Sequence, residues 1–263
     1  MRHLIPFILI LGLLLPGCKG SSKVSANFNG GTTGGSVTAK IINGVEVDTV
    51  ASPQIVAVNM YGADGSVSLC SATSIAPEYF LSAAHCFPDG TLATSVTIAG
   101  QEYFAKSVTR HPDFFESAEV SAFFNDVAVV HVPGVNVPAL AILASQPVPE
   151  NSTVFTYGYG LDENGNAGVL KNGPVQILFS TENHLFSSVF DGSNVDPCNG
   201  DSGGPAVLGF TDVNGVFAVG ITGIVSSGTV VGCEKGDTTL FTNLQNPGVS
   251  EFIRAQVPGV VFN

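Results

Sequence analysis

Residues 196–205 read Asp-Pro-Cys-Asn-Gly-Asp-Ser-Gly-Gly-Pro, and the fold turns on whether Ser202 is a nucleophile or merely turn material. Glycine-serine runs are ordinary turn sequences, because glycine accepts positive φ. Residues 200–204 also fit the G-x-S-x-G elbow of wound α/β enzymes, in which the histidine follows the serine in the chain. Here His3, His85, His111, His131 and His184 all precede Ser202. The elbow is excluded, and a histidine, aspartate, serine order remains.

The surrounding chain agrees. From residue 41 onward, short β-rich runs such as QIVAVN, SVSLCSATSI, DVAVVHV, TVFTYG and GVFAVGITGIVSS alternate with Gly, Pro and Asn. Many short strands between turn residues predict an antiparallel sandwich or barrel rather than a wound α/β sheet. A proline-rich stretch, PGVNVPALAILASQPVPENS, reads as the connection between two β halves. VSEFIRAQV at the end carries Phe252, Ile253 and Val257 on one side, which predicts a closing helix over about 249–257.

Hydrolysis through serine requires a base, a carboxylate to orient it, and amide donors facing the developing oxyanion. LSAAHC ends in His85 and Cys86, FFNDVAVVHV supplies Asp126, and GDSGGP supplies Ser202. In that order these segments resemble the three signature segments of the chymotrypsin/trypsin-like serine endopeptidases, and the resemblance extends over residues 41–263. It implies an all-β fold of two antiparallel six-stranded β-barrels, the first over about 41–140 and the second over about 150–248, with a short C-terminal helix. It implies that His85 is the general base, Asp126 its orienting partner and Ser202 the nucleophile. Gly200 and Ser202 would supply the oxyanion-hole amides, and Ser226 would support the buried aspartate. No metal or organic cofactor is expected, and His111, His131 and His184 keep structural readings.

The N-terminus adds a compartment. An apolar run from Leu4 to Leu15 follows a basic start; it is too short to span a bilayer and reads as an export signal over 1–17. Leu15-Pro-Gly-Cys18 resembles the lipobox of bacterial lipoproteins, which would place a lipid on Cys18. Residues 18–40, rich in Gly, Ser and Thr, read as a flexible propeptide or tether. The tether ends in Lys40 and the domain begins Ile41-Ile-Asn-Gly, similar to the mature start of this family. The resemblance implies a zymogen: cleavage after Lys40 frees the Ile41 ammonium, which pairs with Asp201. A lipid-anchored precursor would then release a soluble mature domain, as no propeptide cysteine other than Cys18 ties it to the domain.

Apart from Cys18, the cysteines are Cys70, Cys86, Cys198 and Cys233, an even set in an exported chain, so two disulfides are expected. Four cysteines permit three pairings; the resemblance implies Cys70–Cys86 and Cys198–Cys233. The net charge is −12, and with no basic stretch there is no electrostatic support for nucleic-acid binding. The expected partners are protein or peptide substrates met by a monomer, with a membrane only through the lipid on Cys18.

The resemblance also places Asp196 at the base of the primary specificity pocket, with Ser226, Gly228 and Thr239 along its walls. A desolvated carboxylate there selects Lys or Arg, since an uncharged side chain leaves it unpaired. Three positions depart from the family pattern: Pro197 beside the acid, Ser227 in place of a tryptophan platform, and Thr238-Thr239 in place of Pro-Gly. Without a hydroxyl next to the acid, Arg is favoured over Lys, while Thr239 narrows the pocket. The alternatives left open are a binding protein that has lost catalysis on the same fold, and a protease preferring small apolar residues.

Overall fold

The computed structural model describes residues 41–263 other than 163, 212–216 and 231. The signal segment and the tether, with Cys18 and Lys40, lie outside the described residues.

In chain order the strands are β1 (Val45–Glu46), β2 (Ile55–Gly62), β3 (Val67–Ala76), β4 (Tyr79–Ser82), β5 (Thr91–Ile98), β6 (Gln101–Phe104), β7 (Ser107–Arg110), β8 (Phe115–Ser117), β9 (Ala122–Phe124) and β10 (Ala128–His131). There follow β11 (Ala141–Ile142), β12 (Ser152–Gly158), β13 (Lys171–Ser180), β14 (His184–Ser187), β15 (Pro205–Thr211), β16 (Phe217–Gly228), β17 (Thr239–Asn243) and one helix, α1 (Pro247–Gln256). The strand β13 shows why these runs pair: Val175 and Ile177 are buried while Pro174 and Gln176, alternating with them, face solvent, the two-residue period of a sheet with one wet face.

The first sheet is seven-stranded in the order β6-β5-β2-β3-β4-β10-β7. Its two ends are not paired to each other; the chain joins them through Ala105 and Lys106, whose amides bond Thr94 and His131. The second sheet closes, because β13 pairs both β12 and β14, giving a six-stranded barrel β13-β12-β15-β16-β17-β14. Residues 41–47, although first in chain order, belong to this second barrel: β1 pairs β13, and the Ile42 backbone bridges to Asp196.

The first half is thus an open seven-stranded sheet rather than the expected six-stranded barrel; each half has its own core, one around Val58, Phe80 and Val130 and one around Val154, Ile177 and Phe241. A third cluster joins them, packing Leu81, Val127 and Val129 against Ile221, Ile224 and the helix residues Val249, Phe252 and Ile253. The helix starts where the Asn246 side chain accepts from Val249 N–H and Pro247 takes the first turn, since a proline there sacrifices no helical hydrogen bond. This shared cluster fixes the ends of β4, β10 and β16 against one another, and the candidate site is built on those ends.

Candidate active site

His85 sits in a short 3-10 turn, Ala84–Cys86, just after β4. Asp126 immediately precedes Val127 and β10 and is fully buried. The two meet through two hydrogen bonds: His85 Nδ1 lies 2.7 Å from Asp126 Oδ2, and the His85 backbone N–H donates to Oδ1 at 2.9 Å. Ser226 Oγ donates to Oδ2 at 2.6 Å, and Thr242 Oγ1 donates to the Asp126 carbonyl at 3.0 Å. A carboxylate so surrounded holds the imidazole in one orientation and leaves Nε2 as the free nitrogen.

The Ser202 turn is held against this pair from the first sheet. Ser71 N–H donates to the Ser202 carbonyl at 2.8 Å, and Ser71 Oγ donates to the Gly200 carbonyl at 2.9 Å. The Asp201 carbonyl accepts from Gly204 N–H. With these carbonyls committed, the Gly200 and Ser202 N–H groups have no partner among the described residues, and two free amides flanking a serine suit a developing oxyanion. Gly200 has φ of +96°, and a Cβ there would lie 2.8 Å from Gly160 Cα, so only glycine fits. Ser202 Oγ and His85 Nε2 are not hydrogen-bonded to each other, a distance that commonly tightens on substrate binding. Cys86 Sγ, 4.0 Å from His85 Nε2 and 3.9 Å from the Ser202 carbonyl, shows how near they lie.

Cys70 is bonded to Cys86 and Cys198 to Cys233. The first ties β3 to the turn of His85, and the second ties the Ser202 turn to the segment after β16. Their sulfurs are therefore not available as metal ligands beside His85.

Two further acids lie below Ser202. Asp201 is wholly buried, accepting from Gly160 N–H through Oδ1 and from Cys198 N–H through Oδ2; burial pushes its carboxyl up to about 7 against those hydrogen bonds. Asp196 accepts from Thr239 Oγ1 at 3.0 Å through Oδ1, while its Oδ2 is buried with no partner. Burial pushes Asp196 up to about 7 as well. Thr239, expected as a narrowing wall residue, thus turns its hydroxyl onto the acid.

Some of the surroundings were not singled out in the sequence. The Phe123 ring stacks on the His85 imidazole, with centroids 4.7 Å apart. His184, given a structural reading, reaches the Phe123 carbonyl with Nε2 at 2.7 Å. The only local signal was the aromatic pair directly before Asn125-Asp126.

This geometry is matched by kinship. The family named Trypsin covers residues 41–248. The chain belongs to the trypsin family. It is 32% identical over 197 residues to brachyurin from Leptuca pugilator, covering 66% of this chain and 82% of that protein. Human granzyme M is 26% identical over 205 residues, covering 68% of this chain and 77% of that protein. A solved structure of HL collagenase superposes with a TM-score of 0.65 at 22% identity, covering 82% of this chain and 97% of that one. The trypsin-family chain is a serine-type endopeptidase of chymotrypsin-like fold, acting on protein or peptide substrates. Among its described residues, no helix is long and apolar enough to cross a membrane.

Proposed function

We propose that this trypsin-family protease is exported, made as a zymogen cut after Lys40, and cleaves peptide bonds on the carboxyl side of Arg or Lys. Ser202 Oγ attacks the scissile carbonyl while His85 Nε2 takes its proton, and the imidazolium is steadied by Asp126. The Gly200 and Ser202 amides hold the oxyanion; the leaving amine collects the proton from His85. Water then attacks the acyl-enzyme by the same route and restores Ser202.

The observation that carries the specificity is Asp196 Oδ2, buried and without a partner. A desolvated carboxylate of this kind is costly until a cation reaches it, and the side chains of Arg and Lys are the cations a peptide offers. For activation the support is the burial of Ile41, 0% exposed, next to Ile42, whose backbone pairs with Asp196. An ammonium freed at Ile41 gives the buried Asp201 a charged partner. Export and the lipid on Cys18 rest on the first 18 residues alone.

Cleavage profiling of the purified enzyme on peptides with Arg, Lys, Ala or Leu before the scissile bond tests the specificity, and N-terminal sequencing of the mature protein tests the processing. The expected results are Arg and Lys preferred by orders of magnitude and Ile41 as first residue. A preference for Ala ends the basic-residue assignment and favours a pocket narrowed by Thr239.

A further inference from the structure

In the ladder between β16 and β17, Gly228 stands directly opposite Thr239. Directly opposed residues of an antiparallel pair carry their side chains on the same face. Thr239 turns its hydroxyl to Asp196 Oδ1, so that face of the ladder looks onto Asp196. A side chain at Gly228 would stand on the same face, and the place of its Cβ is already taken by the carboxylate of Asp237, Oδ2 being the nearest atom.

Asp237 is 1% exposed. Its Oδ1 accepts from the N–H groups of Thr229 at 2.6 Å, Val230 at 2.9 Å and Thr238 at 2.7 Å, and from Thr229 Oγ1 at 3.1 Å. These four donors pin the side chain and commit Oδ1. Among the described residues, no donor reaches Oδ2. Asp196 Oδ2 is buried without a partner, and the negative charge of Asp237 acts on it, adding to the effect of burial. Two acids on one face of the ladder, each with an oxygen that no donor among the described residues reaches, repel each other until a cation comes between them.

We propose that Asp237 is a second acid of the specificity pocket, so that Asp196 Oδ2 and Asp237 Oδ2 together hold the guanidinium of a substrate arginine. The proposal rests on Asp196 being the acid that receives the substrate side chain. A guanidinium presents five N–H donors in a planar fork and can serve two carboxylates at once, whereas an ammonium is a compact point charge. Pro197 beside Asp196 supplies neither a hydroxyl nor an N–H that would compensate a lysine. The pocket therefore selects Arg over Lys, and Asp237 is a specificity-determining residue.

The test compares kcat/KM of the active enzyme, of Asp237→Asn and of Asp196→Asn on matched peptides ending in Arg, Lys or Leu. Asparagine at 237 keeps a carbonyl oxygen for the four donors, while it removes the charge and replaces the Oδ2 acceptor with an NH2 donor. The wild type should favour Arg over Lys about tenfold or more, and Asp237→Asn should lose that margin, lowering the Arg value about tenfold relative to Leu. An unchanged Arg-to-Lys ratio in Asp237→Asn, with basic preference lost in Asp196→Asn, overturns the role of Asp237. A wild type with no preference for basic residues overturns instead the underlying reading of Asp196. Should Asp237→Asn fail to fold, judged by phosphonate labelling of Ser202, the wild type decides: n-butylguanidine should inhibit about tenfold more tightly than n-pentylamine, and equal inhibition overturns the proposal.

Discussion

At the scale of single residues, the site depends on holding the Asp126 side chain fixed as an acceptor. Its Oδ2 bonds His85 Nδ1 and Ser226 Oγ, so Asp126→Asn leaves the shape but offers the imidazole a donor or the wrong acceptor. The expected loss is about 10⁴ in kcat, against about 10⁶ for Ser202→Ala, as in serine proteases of this mechanism; steady-state kinetics on one peptide substrate measures both. Asp196 predicts a pH dependence. With its carboxyl at about 7, a proton occupies the acid below that pH and competes with a cationic inhibitor. Benzamidine should therefore bind about tenfold more tightly for each unit of rising pH between about 5 and 7, levelling above it. A flat inhibition constant over that range would show that Asp196 stays ionised or does not meet the inhibitor. The three signature residues were legible because each sits in a short local motif. The Thr239 to Asp196 bond was not, because it depends on β16 and β17 closing over a segment 43 residues away; nor was the place of the Asp237 carboxylate, which depends on the connection between those two strands folding back onto Gly228.

At the scale of elements, the hairpin of β8 and β9 joins the first sheet and the second barrel over the site. Phe123 at its end covers the His85 ring, Phe124 meets the His184 ring edge-on, and His184 from the second barrel holds the Phe123 carbonyl. Burial lowers the pKa of His184, so it serves as a neutral donor through Nε2–H. Replacing it with leucine removes that donor and leaves the carbonyl unanswered, a loss of about 1–3 kcal/mol. The melting temperature should fall by roughly 2–10 °C, and kcat/KM should fall with it as the ring over His85 loosens. His184→Gln, which retains an N–H donor, should restore most of both. Calorimetry and kinetics on the pair decide it: equal behaviour of the leucine and glutamine variants means that packing, not the hydrogen bond, holds the hairpin. In sequence this hairpin reads only as FESAEVSAFF, a polar loop with flanking aromatics. Its function comes from tertiary contact with a strand about 60 residues on. The closing helix, by contrast, was plain from its apolar spacing and begins within two residues of expectation.

At the scale of the whole molecule, the all-β class followed from short strands and turn residues, while the closing of one sheet and the opening of the other depend on pairings between distant strands. The transfer of residues 41–47 to the second barrel was equally hidden, and it links the N-terminal segment to the acids below Ser202. Asp196 and Asp201 both have carboxyls raised to about 7, against an ordinary value near ~4 in an unfolded chain. The folded form thus holds protons that the unfolded form releases. Their contribution to stability is fully present below pH ~4 and is lost as pH rises through about 7. The unprocessed chain should accordingly melt at progressively lower temperature from pH 5 to 8. Once an ammonium at Ile41 pairs with Asp201, the charged carboxylate is favoured and its share of the loss disappears, so the processed form should show a shallower decline. Introducing Ser202→Ala prevents self-digestion, and Lys40→Gln keeps the chain unprocessed, so both forms can be melted across the same pH range. The double variant should decline more steeply than Ser202→Ala cut after Lys40 by an added protease. Parallel curves for the two forms would mean that the new N-terminus does not reach Asp201, and that processing leaves the Ser202 turn as it was.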